Sequence, residues 1–284
     1  MRWEVRKLAD IADFNLGKML DQKKNRGELR PYLANVNVRW GEFELDDLRE
    51  MRFEDHEVDR YGLRYGDILM CEGGEPGRCA IWKDEKSGMM FQKALHRIRP
   101  HEGLDSRFLY YSFLQKGRSG GFGGLFTGST IKHLPKEQLA KIEVAVPPQR
   151  EQQRIASILS DYDDLIENNR RRIALLEEAA RQLYKEWFVC LRFPGHEHVR
   201  ITDGVPEGWE RVPLGSVCST NLRAYSAKNL PDFIRYIDIS AVDRGAITTG
   251  AAVPSSEAPN RARRIALHGD VIVITHPLAN VPKA

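Results

Sequence analysis

From residue 149 to about residue 191 the chain carries no proline or glycine, and its apolar positions recur at alternating steps of four and three. Ile155, Leu159, Tyr162, Ile166, Asn169, Ile173, Leu176, Ala180, Leu183 and Trp187 follow this rhythm, an a/d heptad seam sustained over more than four heptads. The pattern predicts one helix roughly 60 Å long at 1.5 Å per residue. A helix of that length cannot wrap a compact core, so its seam calls for another long helix, as in a coiled coil. Asn169 sits inside the seam, where a polar residue gives up stability to fix register and partner number. The plainer alternative is a long helix of an ordinary bundle. Pro147-Pro148 suit the helix start, where a missing N–H costs nothing, and Phe193-Pro194-Gly195 close it.

Upstream the period changes. Short alternating or apolar runs at 31–38, 67–71, 79–82, 96–99 and 142–146 predict strands. Gly66-Asp67 is a turn leading into one of them, and residues 73–77 (GGEPG) form a loop. Residues 106–115 (SRFLYYSFLQ) predict a short amphipathic helix capped by Ser106. Residues 1–146 therefore form a mixed α and β domain, 147–192 a spacer helix, and 193–208 a linker.

The chain then starts again. Residues 3–12 (WEVRKLADIA) recur as 209–218 (WERVPLGSVC), 31–33 (PYL) as 235–237 (RYI), and 64–70 (RYGDILM) as 267–273 (LHGDVIV), at offsets of 206, 204 and 203. Three weak matches in order at a nearly constant offset mark a diverged internal repeat. Residues 209–284 are read as an incomplete second copy of the first domain.

Charge and composition sharpen this outline. Residues 1–145 hold 25 Lys and Arg against 23 Asp and Glu, but nine of the acids fall in 42–59 beside only Arg49 and Arg52. The remainder of the domain has a basic surplus, which permits a face that follows phosphates as well as an ordinary solvated surface. Four cysteines without CxxC spacing argue against a disulfide framework and a zinc knuckle. No secretory signal and no apolar run near 18 residues is found, so a cytoplasmic protein without a membrane role is expected.

Base readout needs Arg or Lys for guanine and Asn or Gln for adenine. Loop-like stretches offer Lys18, Lys23, Lys24, Arg26, Arg78, Gln92, Lys93, Lys132 and His133. The glycine-rich run 117–128 (GRSGGFGGLFTG) follows a helix rather than a strand, so it lacks the context of a nucleotide cradle. It reads better as a loop closing on DNA, with Arg118 and the hydroxyls of Ser129 and Thr130 reaching phosphates, or else as a mobile connection only. His196-Glu197-His198 lies in a Pro- and Gly-flanked linker and reads as solvated, not as a metal site. Asp161, Asp163, Asp164 and Glu167 occupy outer heptad positions, a solvated or partner-facing set.

A mixed domain, a long helical spacer and the same domain restarting resembles the specificity subunit of type I restriction-modification systems. Residues 3–12 and 206–210 (PEGWE) resemble that family's domain openings, 128–134 (GSTIKHL) with 142–148 its domain closing, and 147–156 (PPQREQQRIA) the start of its spacer helix. Two target-recognition domains joined by two long helices make up a full family member. This chain is read as truncated within the second recognition domain. The resemblance implies an α+β fold and a non-catalytic subunit that binds double-stranded DNA and directs adenine methylation and restriction by partners. Those partners are modification (methyltransferase) subunits and a restriction subunit, with S-adenosylmethionine, ATP and magnesium on them and no cofactor in this chain. A homodimer through the spacer helix is a further expectation. A stand-alone DNA-modifying enzyme is disfavoured because Pro147-Pro148 is flanked by Val146 and Gln149 instead of the Asn/Asp and aromatic residue of an adenine methyltransferase, and because no Walker A lysine motif is present. A coiled-coil scaffold with no DNA role is the other alternative.

Overall fold

The computed structural model describes residues 3–21, 25–226, 228–243, 246–247, 250 and 252–273. The chain divides into two compact units, Met1–Arg181 and Gln182–Ala284. In chain order the first unit runs β1 (Glu4–Lys7), α1 (Leu8–Ile11), β2 (Ala12–Leu16), β3 (Glu28–Leu33), β4 (Arg49–Phe53), α2 (Asp55–Tyr61), β5 (Ile68–Cys71), β6 (Cys79–Ile81), β7 (Met90–Phe91), β8 (Leu95–Pro100), α3 (Ser106–Arg118), α4 (Lys136–Leu139), β9 (Glu143–Val146) and α5 (Gln149–Tyr184).

An antiparallel sheet of order β2-β8-β5-β6 lies at its centre. Every residue of β5 is buried. Ile68 and Met70 join a core with Ile98, Leu109 and Phe113 on one face, while Leu69 and Cys71 join Leu33, Trp82 and Phe91 on the other. Burial on both faces explains why this strand reads as a continuous apolar run rather than an alternating one. A second sheet, β4-β3-β7, pairs β3 with β7 in parallel. β1 pairs with β9, Glu4 opposite Val146, so the two ends of the first domain meet where α5 begins.

Two sequence expectations shift. The strand expected over 31–38 is β3 followed by a 3₁₀ turn, Asn35–Asn37. The Asn37 carboxamide accepts from Ala34 N–H at 3.0 Å and donates to the Glu44 carbonyl at 3.1 Å, offering the backbone an alternative to the ladder. The cap of α3 is Asp105, not Ser106: its carboxylate accepts from the Arg107 and Phe108 N–H groups at 2.9 and 3.0 Å. A carboxylate there also meets the positive end of the helix dipole.

The spacer helix is α-helical over Gln149–Tyr184 and ends in a π-helical turn, Lys185–Val189. Gln152, 2% exposed, anchors its start by accepting from Asp105 N–H at 2.8 Å and donating to the Pro147 carbonyl at 2.9 Å. From residue 164 to 184 every side chain of α5 is exposed.

The second unit contains β10 (Ile201–Thr202), β11 (Val205–Pro206), α6 (Leu214–Val217), β12 (Phe233–Arg235), β13 (Val242–Asp243), β14 (Ala246–Ile247) and β15 (Ala252–Pro254). Its parts repeat those of the first. α6 stands 206 residues after α1, and the 3₁₀ turn Ile239–Ala241 stands 204 after Asn35–Asn37. The pairing of Val242 with Ile247 matches that of Val38 with Phe43. The Asp270 carboxylate accepts from Leu267 N–H at 2.8 Å, as Asp67 does from Arg64 N–H at 2.8 Å. Trp209, which opens the repeat, stacks on Phe193 with ring centroids 5.2 Å apart. Among the described residues no helix is long and apolar enough to cross a membrane.

Candidate nucleic-acid interface

β5 ends where β6 and β8 begin, and the loops at that end of the sheet hold one another in place. Glu72 N–H donates to the Ala94 carbonyl at 2.8 Å, and Leu134 N–H donates to the Glu72 carbonyl at 2.7 Å. His96 Nε2 lies 2.8 Å from the Leu134 carbonyl; burial lowers the His96 pKa, so the neutral ring holds this contact.

Thr127 and His133 exchange two backbone hydrogen bonds of 2.9 Å and close a hairpin. Gly128 makes its turn at φ +91°, and a Cβ there would lie 2.2 Å from the Ile131 carbonyl oxygen, so only glycine fits. Ser129, Thr130, Ile131 and Lys132 are exposed at the tip, and Ile131 is 65% exposed. His133 stands at the base, Nδ1 3.2 Å from Glu72 Oε1. Two hydroxyls, an ammonium and an apolar side chain thus protrude on a braced turn, a set suited to phosphate oxygens and base edges.

The other expected contacts divide. Arg118 and Arg26 are exposed. Arg78 is held by Glu75 at 2.8 Å and by the Asn35 carbonyl at 2.8 Å. Gln92 and Lys93 are half-buried beside the Lys18 backbone, to which Lys93 N–H donates at 2.8 Å. Lys23 and Lys24 lie outside the described residues. Lys18 is a correction. It is 3% exposed, ion-paired with Glu57, and donates to the Arg52 carbonyl at 2.9 Å. Its ammonium also stands 5.0 Å from the centre of the Phe53 ring. Its charge is committed inside the fold instead of being offered at the surface.

The glycine-rich run is pinned within its length. Phe122 is buried against Phe113, and a Cβ on Gly117 would meet the Trp40 ring at 2.2 Å. His196–His198 form an exposed 3₁₀ turn, with His196 Nδ1 2.8 Å from the Phe193 carbonyl. Glu54, His56 and Glu57 bring ligand-type atoms within 4.8 Å of one another, but the Glu57 carboxylate is engaged by Lys18 and by Glu54 N–H. Burial pushes the Cys71 and Cys79 thiols up, away from thiolate character.

Two further cations, the arginines of β8, stand outside the loop-like stretches. In residues 96–99 (HRIR) the alternation places Arg97 and Arg99 on one face of the strand. Arg99 makes a bidentate pair with Asp67 at 2.7 and 2.8 Å. The pattern was available as two charges two residues apart in a strand.

Residues 1–178 match the sequence profile described as "Type I restriction modification DNA specificity domain". Among curated proteins the chain is 30% identical over 239 residues to the type I restriction enzyme MjaIX specificity subunit of Methanocaldococcus jannaschii, covering 81% of this chain and 54% of that protein. It is 26% identical over 223 residues to the MjaVIII specificity subunit of the same organism, covering 76% and 49%. The chain spans about half the length of the curated relatives it matches. Of solved structures, a type I restriction-modification S subunit from M. genitalium aligns at 22% identity and TM-score 0.45, over 66% of this chain and 45% of that one. A structure concerning complex assembly of the type I R-M system aligns at 18% identity and TM-score 0.46, over 65% and 44%.

Proposed function

The chain belongs to the family of type I restriction-modification DNA specificity domains, and from that membership we propose that it selects a DNA sequence for a restriction-modification complex and performs no chemistry itself. The observation that carries this reading is the family match across residues 1–178, which takes in the whole first recognition domain and most of α5. The braced hairpin at Ser129–Lys132 and exposed Arg118 supply the contacts, and loop positions such as Gln92 and Lys93 supply base readout. Phosphate contacts set register; base-edge contacts select sequence.

α5 is the assembly surface. Its seam residues Ile166, Ile173, Leu176 and Leu183 are 50–71% exposed, and an apolar stripe of that length needs a partner to exclude water. Modification subunits or a second copy of the chain fill that role. S-adenosylmethionine, ATP and magnesium belong to the modification and restriction subunits. Two copies paired about a two-fold axis would present identical recognition domains to opposite strands and select a palindromic two-part site.

The test is methylation mapping of DNA exposed to the chain together with its modification subunit. Methylated adenines within one defined sequence support the reading, and a palindromic bipartite motif supports the dimer. Methylation at random positions, or no change on omitting the chain, overturns it. A coiled-coil scaffold without a DNA role would show no salt-dependent affinity of the chain for duplex DNA.

A further inference from the structure

Along the edge of the central sheet, β2 and β8 set Asp13 opposite Arg99 and Asn15 opposite Arg97. Directly opposite residues share one face. The charge of Arg99 is answered by Asp67. Arg97 is not so answered. It is 5% exposed, its Nη1 donates to the Gly62 carbonyl at 2.8 Å, and its head stands 5.4 Å from the centre of the Phe91 ring. Among the described residues no carboxylate lies within ion-pair distance of it. Burial lowers its pKa, and Arg99 and Arg64 push the same way against Asp67 and Asp13. A guanidinium keeps its proton in proteins, so this is a buried cation with no anion of its own, a costly arrangement unless one arrives from outside.

Arg97 lines a cleft of about 370 Å³ together with Asp13, Phe14, Asn15, Arg99 and Lys136. The Lys136 ammonium rides over the Phe14 ring, 5.5 Å from its centre. We propose that this cleft is a phosphate seat, occupied by a backbone phosphodiester of the duplex the domain reads. The inference rests on the DNA-recognition reading and adds a second, sequence-independent contact to it.

Relief separates the ligand classes. Base edges lie at the floor of a groove and are reached only by side chains that protrude, as the Ser129–Lys132 tip does. A recessed guanidinium meets only an acceptor that itself protrudes, and phosphates line the outside of the duplex. The planar fork of arginine matches two phosphate oxygens, and Asn15 and Lys136 add donors. β2 is the edge strand of the sheet. From Ala12 to Leu16 it spans about 14 Å at 3.4 Å per residue, long enough for one DNA backbone to follow its edge.

The experiment measures binding of the full chain to a labelled random-sequence duplex across a salt series, for the wild type, Arg97→Gln and Lys136→Gln. Each variant should lose about tenfold in affinity and flatten the slope of log Kd against log salt by about one. Lys136 is exposed, so its variant tests the seat even if Arg97→Gln fails to fold. Unchanged affinity and slope in a folded Arg97→Gln and in Lys136→Gln overturn the seat while leaving DNA recognition standing. A wild type without salt-dependent binding overturns both. Inorganic phosphate at constant ionic strength identifies the source: protection of the wild type against heat, with DNA slopes equal in all three proteins, assigns the seat to free phosphate and overturns the proposal. Loss of co-purification with the modification subunit, at unchanged DNA binding, assigns it to a partner's carboxylate and overturns it too.

Discussion

Tyr111 Oη donates to Asp163 Oδ2 at 2.8 Å, joining α3 to α5 across 52 residues of sequence. Asp163 is an outer heptad position of the spacer helix, and it is the last residue of α5 that is not fully exposed before residue 184. Up to this bond α5 packs on the recognition domain through Gln152, Ile155 and Ala156; beyond it only exposed ion pairs reach the helix, Lys83 with Asp164 at 3.9 Å and Glu42 with Arg170 at 3.1 Å. The pair marks where a domain element becomes a spacer.

Tyr111→Phe should therefore lower stability by roughly 1.5–3 kcal/mol, the range for a hydrogen bond to a charged group. Hydrogen exchange should show the loss concentrated in residues around 156–166. Uniform exchange across α5 in the wild type would mean that the helix is not clamped at this point.

Glu57 gives a pH dependence. Burial pushes its pKa up, but the bond from Lys18 and the Glu54 N–H outweigh this and hold it below the ordinary value. A lowered carboxylate contributes stability above its unfolded pKa of about 4.3, and that contribution is lost as pH falls through the folded value. Urea denaturation of the wild type and Glu57→Gln should differ near neutrality and converge in acid. Removing the other partner, in Lys18→Met, should cost about 3 kcal/mol, because it strands a carboxylate. Equal stabilities at pH 7 would show that the pair contributes nothing.

How far these features could be read in advance depended on whether the governing contact was local. The seam of α5 is a periodic signal and β5 a continuous apolar run entered from the Gly66-Asp67 turn, so both elements were legible, as was the repeat that places α6 after α1. The role of Lys18 was not. A lysine in a stretch without strong pattern looks like a surface cation, and only the return of α2 through Glu57 buries it. Arg97 was missed for the converse reason: its strand was legible, but its want of a carboxylate depends on Gly62, Phe91 and Asn15, brought from three other segments. Asp105 displaced Ser106 as the cap because two acceptors stood side by side and the sequence alone does not fix the helix start to one residue.

Gly128→Ala probes the hairpin. The added methyl would lie 2.2 Å from the Ile131 carbonyl oxygen in a backbone conformation at φ +91°, so the tip must rearrange. A few kcal/mol of strain at an exposed loop tip need not spread to the core. Global unfolding should then shift little while DNA affinity falls about as far as in the double variant Lys132→Ala with His133→Ala. A Gly128→Ala protein that binds DNA like the wild type would remove this hairpin from the interface.

Leu176→Asp tests the assembly surface and separates it from the fold. Leu176 is 71% exposed, so in the isolated chain the carboxylate would remain hydrated, and thermal stability at low protein concentration should change by no more than about 0.5 kcal/mol. In an assembled seam the same carboxylate would be desolvated without a counter-charge, at a cost of several kcal/mol, which is a loss of association of a hundredfold or more. Co-purification with the modification subunit and self-association by sedimentation should be measured separately, since either partner can cover the stripe. Loss of one with retention of the other would identify which partner uses this stretch of α5. Retention of both would mean that the seam stays in water and that the heptad rhythm serves no interface.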